Sequence, residues 1–169
     1  IDKMIVIFPF EKELYDNAGI PVEYVGHPLI ERIDSYNFMN RDDFFNEYNL
    51  ESNKEILLLM PGSRKHEIEK LLPELLKAAD KLAKEFDYQI VLACSENLDE
   101  SYLSEFVSNK EIKIVKGKTY ELLKYSKFGI IKSGTSTLEA AIFSLPFVVV
   151  YSTSRLTYFL GKSLVKIKN

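Results

Sequence analysis

One cysteine, two histidines and seven glycines are all that 169 residues hold of those types. Each scarcity excludes something. Cys94 sits alone in an apolar run, so it has no disulfide partner within the chain and fits a reducing compartment. His27 and His66 are distant in sequence and, with a single Cys, give no zinc-ligand spacing. The glycines are scattered. No G-x-G-x-x-G follows a strand pattern and no Walker A Gly-Lys-Ser/Thr occurs, which argues against dinucleotide and P-loop chemistry. A Gly-x-Ser-x-Gly elbow is also missing. Net charge is only −3, so composition offers no argument for nucleic acid. The longest apolar runs are about the size of a strand, and none is expected to span a bilayer.

What remains is an ordinary globular composition, 46 % hydrophobic and 28 % charged, in a length that suits one full domain with a real core. Charge is unevenly placed. From Ala140 onward the only charged residues are basic (Arg155, Lys162, Lys166 and Lys168), on an otherwise acidic body.

Alternation sets the fold class. Apolar strands are expected at Met4–Phe8, Val22–Val25, Ile56–Met60, Gln89–Ala93, Ile112–Val115, Phe128–Ile131 and Pro146–Tyr151. Helices are expected at Glu11–Asn17, Asp42–Tyr48, Lys65–Phe86, Leu98–Val107, Thr119–Tyr125, Ser136–Ser144 and Arg155–Val165, with a helical turn at Leu29–Ile33. Gly19 is expected to cap the first helix and Thr119 to open a later one. Asp34 to Asn40 has no period and reads as a connector. In the long helix, Ile68, Leu71, Leu72, Leu75, Leu76, Ala79, Leu82, Ala83 and Phe86 follow the i, i+3, i+4, i+7 series. Pro73 is expected to bend this helix or restart it near Leu72. Strands apolar throughout, alternating with helices, imply a parallel sheet covered on both faces: an α/β, Rossmann-like, doubly wound fold. Ligands of such sheets bind at the carboxyl ends of the strands.

Two stretches sit at such ends. In Phe128-Gly129-Ile130-Ile131-Lys132-Ser133-Gly134-Thr135, an apolar run stops, a tight turn follows and a helical pattern begins. Ile56-Leu57-Leu58-Leu59-Met60 leads in the same way into Pro61-Gly62-Ser63-Arg64 and the long helix. A strand, a turn and a helix N-terminus leave backbone N–H groups unpaired at the positive end of a helix dipole, a ready anion site. Gly62 permits close approach, Ser63 carries a hydroxyl, and Arg64 offers a planar fork suited to a diphosphate. An ordinary turn with Ser63 as N-cap and an exposed Arg64 explains the same residues. Likewise, Ser136-x-x-Glu139 forms a capping-box pattern, while Glu139 can equally accept hydrogen bonds from a ribose diol, with Ser133, Gly134 and Thr135 around phosphate. His27 follows a strand in Gly26-His27-Pro28, where a structural role is the simpler account. The last helix, with basic residues between apolar ones, suits either packing or an anionic membrane surface, and packing is the expectation.

Taken in order, Pro9-Phe10-Glu11, Val25-Gly26-His27-Pro28-Leu29, Leu59-Met60-Pro61-Gly62-Ser63-Arg64, Ser133-Gly134-Thr135-Ser136-Thr137-Leu138-Glu139-Ala140, Val149-Val150-Tyr151 and Leu156-Thr157-Tyr158 to Leu164-Val165-Lys166 resemble the lipid-A-disaccharide synthase family. The resemblance covers essentially the whole chain, and the ordered set is more specific than any one motif.

The resemblance implies the C-terminal half of a GT-B glycosyltransferase, an inverting hexosyltransferase that needs no metal or other cofactor. The family joins UDP-2,3-diacylglucosamine to 2,3-diacylglucosamine 1-phosphate. Residues 1–28 then correspond to the end of the N-terminal domain and the crossover, and 29–169 to a UDP-sugar-binding domain shortened at its C-terminus. The acceptor-binding half and its general base fall outside such a fragment, which is expected to be inactive alone. Gly62, Ser63, Arg64, Ser133, Gly134 and Thr135 would surround the diphosphate, Glu139 would take the ribose, and His27 would lie near the cleft. Expected partners are the UDP-sugar donor, the lipid monosaccharide phosphate acceptor, the absent N-terminal domain and a membrane surface, with no nucleic acid. The implied location is the cytoplasm of a Gram-negative bacterium, peripheral to its inner membrane. Two alternatives stay open: another UDP-sugar enzyme of this fold (an N-acetylglucosaminyltransferase or a 2-epimerase), and a non-catalytic nucleotide-binding module.

Overall fold

The computed structural model describes residues 2–107 and 111–152. Its contacts divide the chain between Phe38 and Met39. In the first unit, β1 (Met4–Val6) and β2 (Val22–Tyr24) pair in parallel, with Met4 opposite Val22 and α1 (Pro9–Asn17) as the crossover. Pro9 opens α1, where its missing N–H would have been an orphan anyway. Gly19 follows the last turn at φ 69°, a left-handed position that suits glycine. The unit closes with α2 (Pro28–Asp34). The contacts place this helix and the connector behind it in the first unit.

The second unit holds α3 (Arg41–Glu47), β3 (Ile56–Met60), α4 (Lys65–Phe86), β4 (Gln89–Cys94), α5 (Glu100–Val107), β5 (Ile112–Lys116), α6 (Thr119–Tyr125), β6 (Ser126–Lys132), α7 (Thr135–Ile142) and β7 (Phe147–Val150). Its five strands are parallel, in the order β5-β4-β3-β6-β7. The chain winds outward from β3 to β5, then returns to the other side of β3 and winds outward again. The reversal falls between β3 and β6. At such a switch point the two crossovers leave the sheet in opposite directions and open a crevice at the carboxyl ends.

Every residue of β3 is buried. Leu57 and Leu59 face a core with Ile68, Leu72, Leu75 and Leu76 of α4 and Leu103 of α5. Ile56, Leu58 and Met60 alternate to the opposite face. There α6 packs on β3 and α3 packs on α6, and neither helix joins the first core. Burial on both faces is why the strand reads as an unbroken apolar run. Each such Leu or Ile contributes about 1.5–3 kcal/mol relative to an exposed position.

Two local expectations are corrected. First, α4 is one helix from Lys65 to Phe86, with Pro73 inside it and no restart near Leu72. Pro73 is exposed, and so is Glu69, whose carbonyl loses its N–H partner to the proline. Water can satisfy that carbonyl while Leu71, Leu72, Leu75 and Leu76 hold the helix on the sheet. Second, α6 is opened by Lys118, not Thr119, and has no side-chain cap. Tyr120, Leu122 and Leu123 are buried, so packing fixes this short helix. The helix expected over 155–165 lies outside the described residues.

Candidate functional site

The two turns singled out in the sequence end neighbouring strands. β3 and β6 pair with Met60 opposite Ile131, so Pro61-Gly62 and Lys132-Ser133 leave the sheet side by side at the switch point. Gly62 has φ 106°, a conformation that an L side chain rarely adopts. A Cβ there would stand 3.2 Å from Glu67 Oε2 and 3.4 Å from Lys132 Cδ. The glycine is therefore needed both for its backbone and for the space above it.

Glu67 is the link between the turns. Its Oε1 accepts from Lys132 Nζ at 3.1 Å and from Arg64 Nη1 at 3.2 Å. The Glu67 and Lys132 side chains are 18 % and 16 % exposed, against 70 % for Arg64. One cation is thus packed into the turn and the other stands in solvent. Burial by itself raises the Glu67 carboxyl, but the hydrogen bonds and charges of Lys132 and Arg64 outweigh it and hold the group below its ordinary value.

Both helices behind the turns start without side-chain caps. Arg64, not Ser63, is the N-cap of α4, and the first helical bonds are Glu67 N–H and Ile68 N–H to Arg64 C=O, at 3.0 and 3.1 Å. The amides of Lys65 and His66 precede them. Gly134 is the N-cap of α7, where Thr137 N–H and Thr137 Oγ1 donate to Gly134 C=O at 3.1 and 2.7 Å. The amides of Thr135 and Ser136 lie ahead of that bond. Gly134 and Thr135 are exposed, and among the described residues nothing would crowd a Cβ on Gly134.

The capping box expected at Ser136 and Glu139 is not formed. With Gly134 as N-cap, the third helical position falls on Thr137, and Glu139 lies in the second turn. The helix starts two residues earlier than its Ser-x-x-Glu pattern suggests, and only Ser133 and Gly134 separate it from the end of β6 at Lys132. Glu139 is half-buried, about 7.5 Å along the helix axis beyond Gly134. The Ser133 amide is already committed, donating to Val150 C=O at 2.8 Å. That bond pins the turn to the end of β7, so it is the hydroxyl of Ser133, not its amide, that can be offered to a ligand.

His27 belongs to the first unit. Its Nδ1 accepts from Leu29 N–H at 3.1 Å as the N-cap of α2, and its ring lies 5.2 Å from that of Phe8. An accepting Nδ1 places the ring proton of the neutral imidazole on Nε2. With Val25, Gly26, Ile30, Glu31 and Asp34 it lines an open groove of about 770 Å3. Sequence reading missed Glu67 and Lys132. The signal available was a lysine ending an apolar run at a strand's carboxyl end, opposite a helix with an acid in its first turn.

Comparison with known proteins gives this site a context. The family model for lipid-A-disaccharide synthetase matches residues 1–169. The lipid-A-disaccharide synthase of Syntrophus aciditrophicus is 34 % identical over 171 residues, spanning 99 % of this chain and 44 % of that protein. The enzyme of the same name from a Sulfurihydrogenibium species is 39 % identical over 182 residues, 98 % of this chain and 46 % of that protein. The chain thus spans less than half the length of these relatives. In fold it is similar to the UDP-GlcNAc 2-epimerase of Methanocaldococcus jannaschii, at TM-score 0.62 and 17 % identity over 94 % of this chain and 49 % of that one. The same enzyme solved with UDP-GlcNAc and UDP gives TM-score 0.59 at 18 % identity, over 94 % of this chain and 48 % of that one. That likeness is one of fold, Rossmann-like and of the GT-B type. The sequence match is of a different order, and by it the chain belongs to the lipid-A-disaccharide synthetase family.

Proposed function

We propose that this chain is the donor-binding part of a glycosyltransferase of lipid A biosynthesis, which transfers 2,3-diacylglucosamine from UDP to 2,3-diacylglucosamine 1-phosphate with inversion. The observation that carries the reading is the pairing of two helix-opening turns at the sheet's switch point, tied through Glu67 and Lys132. Family membership supports the chemistry.

In this reading the diphosphate of UDP lies over Gly62, Ser63 and Arg64 on one side and Ser133, Gly134 and Thr135 on the other. The amides of Lys65, His66, Thr135 and Ser136 face it with two positive helix ends. Glu139, further along α7, accepts from the ribose hydroxyls. As the glycosidic bond breaks, negative charge grows on the β-phosphate while the sugar becomes oxocarbenium-like. Fixed amide dipoles and Arg64 stabilise that charge without reorganising. Arg64 is suited to this because it is exposed and its weak surface pair with Glu67 is easily exchanged. The acceptor and the general base belong to the part of the enzyme that this chain does not span. His27 is assigned to capping α2 in the first unit. Both substrates carry acyl chains, so the whole enzyme works at a membrane surface, although no described helix is long and apolar enough to cross one.

Calorimetry with UDP and UMP tests the reading. The chain is expected to bind UDP weakly but more tightly than UMP, and Arg64→Ala to narrow the difference. Equal affinity for the two nucleotides would mean that no diphosphate is read. Disaccharide synthesis by this chain alone would refute the division of labour.

A further inference from the structure

Among the described residues, Lys132 is the one cation of the site that is packed into place. It ends β6, lies alongside Gly62 of the neighbouring turn and is only 16 % exposed. Its ammonium is held at 3.1 Å by Glu67, which also holds Arg64. Glu67 is the third residue of α4, so its carboxylate lies where that helix's N-terminal dipole attracts an anion. A carboxylate bound by a lysine and an arginine beside a helix N-terminus has the surroundings of a bound phosphate.

We infer that Lys132 is a diphosphate-contacting residue, and that Glu67 occupies the anion's place until a nucleoside diphosphate displaces it. The inference rests on the reading given above and extends it. Glu67 satisfies both cations. When the diphosphate enters, Lys132 Nζ and Arg64 pass from the carboxylate to phosphate oxygens, and Glu67 turns toward solvent on its own flexible stem. Lys132 reaches the ligand from the β6 side and Arg64 from the β3 side. Gly62 leaves room for the exchange, since a Cβ there would stand 3.2 Å from Glu67 Oε2 and in contact with Lys132. Glu67 thereby sets a threshold: only an anion that offers both cations a better partner than one carboxylate opens the site.

The test is calorimetric titration of the chain with UDP and with UMP, in the wild type, Lys132→Met and Glu67→Gln. Lys132→Met is expected to weaken UDP about tenfold, the loss of one charge-assisted hydrogen bond, while leaving UMP within about twofold. Glu67→Gln is expected to bind UDP at least as tightly as the wild type, because the competitor has lost its charge. Lys132→Met with an unchanged UDP-to-UMP ratio would overturn the inference, whether both affinities hold or both fall. So would a Glu67→Gln variant that loses UDP as Lys132→Met does, since the pair would then be a structural clamp. A wild-type chain that binds no UDP would overturn the diphosphate reading itself, and this inference with it. Circular dichroism of each variant verifies the fold.

Discussion

Lys132 Nζ and Glu67 Oε1 meet at 3.1 Å across 65 residues of sequence, joining the end of β6 to the first turn of α4. Both side chains are mostly buried, so their attraction is less screened than that of a surface pair, and loss of Glu67 leaves the Lys132 ammonium without this partner in the turn. It also ties stability to pH. The folded Glu67 carboxyl is lowered, so the unfolded chain takes up its proton first as pH falls. The stabilisation is complete above the ordinary carboxyl value of 4.5 and is lost as pH drops through the folded value. Urea unfolding between pH 7 and 3 should show stability falling at the acid end, and Glu67→Gln should flatten that limb relative to the wild type.

Gly62→Ala should destabilise the second unit by about 1–3 kcal/mol, through a strained backbone and a Cβ 3.2 Å from Glu67 Oε2. The same change should weaken UDP, because the added methyl crowds Glu67 and fills the space beside Lys132. An alanine variant with wild-type urea midpoint and UDP affinity would show that neither the φ nor the space matters.

Arg64→Ala should separate binding from folding. Its side chain is 70 % exposed and its pair with Glu67 is a surface one, so stability should change by less than about 0.5 kcal/mol. In the whole enzyme the same substitution should cost about 2–4 kcal/mol of transition-state stabilisation, read as kcat/KM for the donor. A drop in melting temperature as large as the loss of activity would point to a structural arginine instead.

The fold is largely legible in the sequence because period and burial agree. The limits of β3, α4 and α6 follow residue for residue, since Ile56–Met60 is an unbroken buried run and α4 carries a strong apolar stripe. What misleads are local signals overruled by packing. Pro73 does not restart α4, because its four apolar neighbours are fixed on the sheet. Ser136 and Glu139 spell a capping box, but the helix opens two residues earlier, at Gly134. The turns can be found from their residues alone, yet their adjacency cannot, because strand order is set by the crossovers rather than by any one motif. Lys132 and Glu67 escape for that same reason: each is ordinary in sequence and acquires a role only when β6 lies beside β3.

Pro73→Ala should stabilise the chain. The substitution returns an N–H to the carbonyl of Glu69 on the exposed side of α4 and leaves the buried face of the helix as it was. Helix propensity favours alanine here by up to about 3 kcal/mol. The freer unfolded chain takes back about 0.4–1 kcal/mol of that gain. A net increase of about 1–2 kcal/mol in urea is expected. No increase would mean that α4 depends on the local geometry imposed by the proline.

Tyr48 offers a second pH probe, at the alkaline end. Burial first, then a hydrogen bond and charge from Glu47 and the charges of Glu100 and Glu121, push its phenol up to about 12. The neutral phenol is therefore favoured in the folded state. As pH rises above 10 the unfolded chain gives up this proton first, so the unfolded state binds fewer protons and stability falls until the folded group also ionises. The wild type should lose stability between about pH 10 and 12 more steeply than Tyr48→Phe, which removes the ionisation but keeps the ring beside Phe44. Ultraviolet titration of the folded chain should show one tyrosine fewer ionising near pH 12 in Tyr48→Phe. If the two proteins instead titrate alike throughout that range, Tyr48 is accessible to solvent, and the packing of α3 against α6 beneath the switch point is looser than its ring contacts imply.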